Sequence, residues 1–540
     1  MERHRPLILE HGRVLAWGGR TCGSLAVDSQ GRIAALGTRK TLLSAAEPPA
    51  TILHLGGRLV LPGFTDSHIH LAALAQSRHQ VDLSSAASLD AALRLVKQRA
   101  QRLPGGHWIT GGRFDRSRWG ERIPSRHDLD GVAPDHPVAL SSRDGHSLWV
   151  NSLALRKCRI TAKTLCPSGG SVVCDRRGQP TGILLERATA LVYASPAFQQ
   201  HEADEGDLAW ALRFLLRKGI TSVHAMDDVS VLTNLQKLRE AGRLHQRIAI
   251  YPPFSALDDL KAAGIRSGFG DDWIRIGGLK LFVDGALGSQ TAWLFEPYCG
   301  RADGYRGIPV MSGKELREAV RQAAEAGFAC AIHAIGDRAN AEALDAIEAA
   351  KDYRTRLPHR IEHAQLVRPH DRKRFRQTGA IASMQPCHIL GDIEPAETHW
   401  GERSRHAYPI RSLMRAGVRL AFGSDAPVET ADPMAGIYAA VCRQDRQRRP
   451  DGGWYRKEEG IGVVEALEAY SAGPAFATGE HQYKGRLRVG DLADLVVLSD
   501  DITKLEGRGL LGARVEMVVV GGRVRHVRRV ATSGLDCAAR

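Results

Sequence analysis

No run of about eighteen consecutive apolar residues occurs in the 540-residue chain, so a membrane-spanning helix is not expected. The opening text MERHRPLILEHGR is charged and broken, unlike a secretory signal, and a cytoplasmic location is expected. Close cysteine pairs are missing too. The nine cysteines, an odd number, are scattered from Cys22 to Cys537, which excludes a disulfide framework, and the even spacing of Cys158, Cys166 and Cys174 is too wide for a structural zinc knuckle. Nine free thiols are expected. Concentrated charge is scarce despite a formal net charge of +14. The 74 basic residues are dispersed, with local runs only at RQDRQRR (Arg443 to Arg449) and RVRHVRR (Arg523 to Arg529). These read as solvated faces, so no nucleic-acid partner is expected, an acidic substrate or polyanion being the other reading. The glycine pairs Gly111-Gly112 and Gly277-Gly278 lack a following Lys-Ser or Lys-Thr, which excludes a phosphate loop.

What the chain does contain is the composition of a soluble globular protein, 43% hydrophobic and 25% charged, at a length too great for one ordinary core. Its most informative stretch is LPGFTDSHIHL, Leu61 to Leu71. A Pro62-Gly63 turn leads into a short buried strand, and on a strand residues i and i+2 share a face. His68 and His70 can therefore present two imidazoles to one cavity, although a His-x-His pair alone is as readily a polar core feature. The segment Pro62 to His70 resembles the first-strand signature of the amidohydrolase superfamily, PGxxDxHxH, in which Asp66 matches as well. Asp66 is read as supporting rather than ligating.

From Leu7 to about Leu61 short strands alternate with Gly-cornered turns, and GRLRVGDLADLVVL (Gly485 to Leu498) and ARVEMVVVGGRVR (Ala513 to Arg525) repeat that texture near the other end. Both termini are expected to form one small β-sandwich, residues 1–64 and 481–540, with 65–480 inserted between them. Inside the insert, apolar runs alternate with helical periodicity. Strands are expected at His68 to His70, Pro137 to Ser141, Ile220 to Met226, Ile274 to Val283, Phe328 to Ile335, Arg360 to Ala364, Ala380 to Gln385 and Leu420 to Gly423. Helices are expected at Leu208 to Lys218, Lys314 to Ala326 and Ala339 to Ala350. Eight such units imply an α/β fold of the TIM-type (β/α)8 barrel class, with its chemistry at the C-terminal strand ends. The long text after the second expected strand reads as an insertion at about 151–200.

The resemblance to the superfamily implies further metal ligands, and candidates stand at the expected strand ends. His333 closes the fifth strand, His363 the sixth, and Asp425 follows the eighth. Lys280, amid Ile276, Leu279, Leu281 and Phe282, is costly to bury charged. Its carboxylation by carbon dioxide would give an anionic bridging ligand, while snorkelling or pairing with Asp284 is the plainer reading and Glu186 the alternative carboxylate. GGRFDRSRW, RDGHSLWVNSLAL, PTGILLE, LKLFVDGALGSQTAWL, HAIGDRAN and SDAPVE are similar to the branch that includes N-substituted formamide deformylases. That resemblance implies a metal-dependent hydrolase of a non-peptide C–N bond in a small-molecule amide, with one or two zinc ions supplying hydroxide at neutral pH and Asp425 shuttling the proton to the departing amine. Iron, manganese or nickel fit the same ligands.

In this reading His68, His70 and Asp425 hold one ion and His333 and His363 a second, with Lys280 between them. His146, in RDGHSLW, is a candidate for substrate binding, and His224 for support behind the ligands. Trp108, Trp119, Trp149 and Trp293 are candidates for an apolar pocket or for domain packing. A homodimer is an expectation of the resemblance alone. A cyclic amide, an ester or a deaminated ring as substrate, and a non-catalytic scaffold that has kept the barrel, are the competing functions.

Overall fold

In the computed structural model, residues 5–16, 21–45, 49–114, 119, 124–142, 147–167, 170–198, 203–444 and 455–528 are described. Two compact units emerge, one of Met1–Ala72 with Leu208–Arg540 and one of Ala73–Asp207.

The larger unit contains two arcs of parallel strands. One runs Ile274–Ile276, Arg247–Ile250, Ile220–Ala225, Phe64–Ile69; the other runs Leu279–Phe282, Cys330–Ala334, Arg360–His363, Ile381–Met384, Leu420–Phe422. Phe64–Ile69 and Ile220–Ala225 are buried at every residue, as parallel strands covered on both faces must be. Backbone hydrogen bonds stitch the arcs where they meet: Lys280 N donates to Pro252 O at 2.7 Å on one side, and Asp425 N to His68 O at 2.7 Å on the other. The architecture is of the TIM-type α/β kind.

Helices follow the strands, and local sequence sets their limits. Gly313–Glu325 begins at a capping box in which Ser312 Oγ accepts from Glu315 N while the Glu315 carboxylate accepts from Ser312 N. Leu316, Ala319, Val320 and Ala323 recur at three- and four-residue spacing and are buried, and Gly327 at φ +83° turns the chain out. The other two expected helices are Glu205–Arg217 and Asp337–Ala349.

The expected second strand requires correction. Val138–Ser142 lies in the smaller unit, in a mixed six-stranded sheet ordered Gly170–Cys174, Pro180–Glu186, Ser147–Val150, Val138–Ser142, Ile109–Phe114, Val81–Asp82. The place beside Phe64–Ile69 is taken by Ile220–Ala225, and Arg247–Ile250 is the added strand between it and Ile274–Ile276. The inserted segment therefore follows the first strand of the arcs, and residues 151–200 are only part of it. An apolar run fixes that a strand exists and not which strand it pairs with, which is a long-range property. In this smaller unit Trp119 and Trp149 pack edge to face, 5.9 Å between centroids, within a cluster that includes Phe114, Ile109 and Leu140. Trp108 lies in a neighbouring cluster there. These three are core residues rather than pocket lining.

Two further sheets belong to the larger unit. The first is ordered Ile33–Gly37, Ser24–Val27, Leu7–Glu10, Thr51–His54; the second is ordered Arg523–Val527, Val515–Val520, Leu495–Leu498, Leu59–Pro62, Arg13–Leu15, Thr21–Cys22. The second joins both ends of the chain, Leu495–Leu498 running antiparallel to Leu59–Pro62. One apolar cluster, with Leu9, Leu25 and Ile33 from the first sheet and Val60, Val497 and Val519 from the second, fills the space between them. Gly31 sits where their turns meet. Its φ of +79° and the closeness of Gly521 O, 2.4 Å from where a Cβ would stand, leave room for no side chain. Asp494, just before Leu495–Leu498, grips Arg247 with both oxygens, at 2.6 Å to Nε and 3.0 Å to Nη2, and accepts from Gly521 N. This buried fork ties the terminal sheet to the arc strand Arg247–Ile250.

Candidate metal centre

At the C-terminal ends of the arc strands, His68 and His70 meet Asp425. His70 Nε2 lies 3.2 Å and His68 Nε2 3.5 Å from Asp425 Oδ1, and the three form a group whose geometry could hold a cation. Their neighbours decide which nitrogen each imidazole offers. His68 Nδ1 is 2.6 Å from Glu362 Oε2, and His70 Nδ1 is 3.2 Å from Met226 O. Both acceptors require a proton on Nδ1, which leaves the Nε2 lone pairs facing Asp425. Asp425 Oδ1 is buried and has no hydrogen-bond partner. A buried carboxylate oxygen without a hydrogen-bond partner, with two imidazole nitrogens turned towards it, is what a divalent cation would satisfy.

The other candidates surround this group. Lys280 Nζ lies 3.4 Å from His68 Nε2, in a buried position, and Asp284 is not its partner: that carboxylate accepts the backbone N–H groups of Trp293, Ile335 and Gly336. His363 packs 5.0 Å from His68 and 4.5 Å from His333, ring centre to ring centre, and its buried Nδ1 has no partner. His333 directs Nε2 at Gly285 O, 2.9 Å away, so its Nδ1 carries the lone pair. Burial and the Lys280 ammonium lower His68 to about 4 and His333 to about 3; burial and His333 bring His363 well below the usual range. All three are neutral donors at neutral pH. Burial would raise the Asp425 carboxyl, yet His388 and His70 beside it hold it well below the usual carboxylate range. Burial lowers the Lys280 amine to about 8.

Asp66 faces another way. Its oxygens accept from Ser424 N at 2.9 Å, Ser424 Oγ at 2.5 Å and His68 N at 3.2 Å, which fastens the first arc strand to the loop carrying Asp425. His363 (φ +70°) and Asp425 (φ +59°) both hold left-handed backbone, strain of about 1–3 kcal/mol each that surrounding structure must impose. His224 is buried and its Nδ1 accepts from Arg360 Nη1 at 2.9 Å, behind the donor group. His146 lies outside the described residues. Glu186 ends strand Pro180–Glu186 in the smaller unit, and its side chain lies outside what is described.

Three participants escape a reading of the sequence alone. Glu362, fully buried, links His68 to Arg360, whose Nε is 2.5 Å from Glu362 Oε1. Arg360 also donates to Ser67 O at 2.5 Å, Ser383 Oγ at 2.6 Å and Tyr251 Oη at 3.3 Å. His388, near the start of helix Pro386–Trp400, brings Nε2 to 3.4 Å from Asp425 Oδ2, outside hydrogen-bonding geometry. Burial acts to lower its pKa, but the Asp425 carboxylate outweighs it and raises the ring to about 9. The RIEH text around Glu362 and a histidine just past the strand Ile381–Met384 were the available signals.

A TIM-type α/β fold with imidazoles, a carboxylate and a lysine converging at its strand ends defines a metal-dependent hydrolase. The comparisons agree. A family model described as the amidohydrolase family matches residues 51–526. The chain is 32% identical to YtcJ of Bacillus subtilis over 488 residues, 88% of this chain and 90% of that protein. It is 30% identical to the N-substituted formamide deformylase of Arthrobacter pascens over 547 residues, 98% and 99% of the two chains. The crystal structure of an uncharacterized metal-dependent hydrolase from Pyrococcus furiosus superposes with a TM-score of 0.74 at 31% identity, covering 92% of this chain and all of that one. The chain belongs to the amidohydrolase family. Membership carries a divalent metal and a small-molecule substrate with it. Among the described residues no helix is long and apolar enough to cross a membrane, and the eight described cysteines are free thiols.

Proposed function

We propose that this protein hydrolyses a non-peptide C–N bond of a small-molecule amide, an N-substituted formamide or another N-acyl amine. His68, His70 and Asp425 would hold one zinc ion and His333 and His363 a second, with carboxylated Lys280 as a shared ligand. The observation that carries this reading is the unpaired Asp425 Oδ1 facing two imidazole lone pairs. The deformylase likeness over 98% of the chain supports the choice of amide.

A bound zinc ion supplies a Lewis acid for the carbonyl oxygen and a water whose pKa falls towards about 7. The chain's own residues do the rest. The Asp425 carboxylate takes the proton released by water and returns it to the amine nitrogen as the C–N bond breaks, giving carboxylate and amine. His388 stands on the far oxygen of that carboxylate and steadies its charge. Lys280 reacts as the neutral amine: its nitrogen bonds to the carbon of carbon dioxide and one N–H proton leaves to solvent. The resulting carbamate replaces a cation that the apolar surroundings oppose by an anionic oxygen ligand. The terminal sheets, from residues 1–64 and 481–540, form a β-sandwich beside a barrel within 65–480, and the protein works in the cytoplasm.

The test is amine release from a panel of N-substituted formamides, N-acyl amino acids and cyclic ureides. Turnover of formamides is expected; silence on every amide alongside turnover of an ester or a ring substrate overturns the reading. Lys280→Ala should lose metal and activity together and regain part of both with short carboxylic acids. Full activity in that variant refutes the bridging role.

A further inference from the structure

A second cluster of metal-binding side chains lies in the first terminal sheet. Strand Leu7–Glu10 runs parallel to Thr51–His54 in a register that pairs Glu10 with His54 at the strand ends. The next residue, His11, takes a left-handed φ of +55° and folds its ring onto His54, 5.4 Å between centroids with planes 27° apart. Because Leu7–Glu10 is buried throughout, its last residue carries a carboxylate inside: Glu10 is 2% exposed.

An ionised carboxylate at such a position is costly unless it is paired and hydrogen-bonded. Neither Glu10 oxygen has a hydrogen-bond partner. His54 Nδ1 comes within 3.0 Å of Oε1 without donating to it, His11 Nε2 lies at 4.0 Å, and Arg39 Nη1 stands off at 3.6 Å. One ligand atom from each of Glu10, His11 and His54 falls within 4.8 Å of the other two.

We infer that Glu10, His11 and His54 form a second divalent-cation site, separate from the catalytic centre and suited to zinc or a neighbouring late first-row metal. Two imidazoles and one carboxylate match the borderline character of zinc and are a poor set for calcium or magnesium, which take oxygen ligands. Zinc–ligand distances of about 2.0–2.2 Å put tetrahedral ligands about 3.4 Å apart. The Glu10–His54 pair, at 3.0 Å, needs to open only slightly to reach that spacing, and His11, with 68% of its side chain exposed, is free to rotate in. Water completes the coordination from the open side. The Arg39 guanidinium, 60% exposed, is the competing cation and swings outward when the metal enters. The bound ion pins the ends of two parallel strands, so its effect is structural.

The experiment is zinc titration of the metal-stripped full chain by calorimetry, with wild type beside His11→Asn/His54→Gln. Both histidines are exposed, and Asn tolerates the left-handed backbone at position 11. The catalytic ligands are identical in the two proteins, so their contribution cancels, and the outcome is independent of the proposed reaction. One zinc equivalent fewer, or an affinity for that equivalent at least about 100-fold weaker, is expected in the variant, with amidase activity unchanged. Cobalt(II) added to the two proteins should give a visible difference spectrum, and Arg39→Gln should tighten the extra site. Equal stoichiometry and equal affinities in wild type and variant overturn the inference.

Discussion

Glu362→Gln separates what aims His68 from what merely buries it. The native carboxylate serves two donors at once, with Oε2 on His68 Nδ1 at 2.6 Å and Oε1 on Arg360 Nε at 2.5 Å. A glutamine has one acceptor oxygen, and its NH2 would face a donor, so one partner is lost whichever way the amide turns. Arg360 is 1% exposed, and its guanidinium would then lack a counter-charge. Breaking a buried pair from one side costs about 3–5 kcal/mol. Losing the partner that fixes a ligand's tautomer weakens metal binding about 10–100-fold. The double variant Arg360→Met/Glu362→Leu removes both charges and should recover part of the stability, the rest staying lost because Ser67 O, Ser383 and His224 also forfeit a donor. Its zinc affinity should stay low, since nothing then holds the His68 Nδ1 proton. Urea unfolding of metal-stripped protein reads the first quantity and chelator competition the second. A Glu362→Gln protein with wild-type unfolding midpoint and wild-type zinc affinity refutes the reasoning.

Other perturbations test neighbouring links. A Cβ at Gly423 would lie 2.4 Å from His68 N and 2.9 Å from its Cβ, so Gly423→Ala should push the ligand strand aside, costing about 1–3 kcal/mol in unfolding and weakening zinc binding; an unaltered protein contradicts the packing. His388→Asn should keep metal content and lower amide turnover by about 100-fold, whereas loss of metal would make His388 a ligand. The Arg247 fork outweighs burial and holds the Asp494 carboxyl below its usual value, so the stability it adds is complete at neutral pH and lost as pH falls below the unfolded value of about 3.9 and through the folded one. Asp494→Asn should cost about 3–5 kcal/mol at pH 7 and flatten the acid dependence of the urea midpoint; an unchanged acid limb refutes the pairing.

The parts of this molecule that declare themselves in sequence are those whose physics is local. His68 and His70 are two apart on a strand, Ser312 and Glu315 bracket a helix start, and Gly31 marks a turn; each needs only neighbours to be interpreted. Arg247–Ile250 fails as a sequence signal because it is four residues long and begins with a charge, which Asp494, far along the chain, helps to make bearable inside. Val138–Ser142 has the texture of a strand but nothing in it names Ile109–Phe114 and Ser147–Val150 as its partners. Glu362 was hidden by the same rule that exposed His68. Period two sends adjacent residues to opposite faces, so a ligand at His363 argues that Glu362 points away from the metal. The strand ends there, however: His363 and Ala364 turn left-handed, at φ +70° and +43°, and the rule lapses at the residue where it was needed. Glu362 then reaches His68 from behind while His363 faces it from the front. Chemistry placed at strand ends uses the backbone where it departs from its period, so a ligand's supporting residue is the one that periodicity conceals.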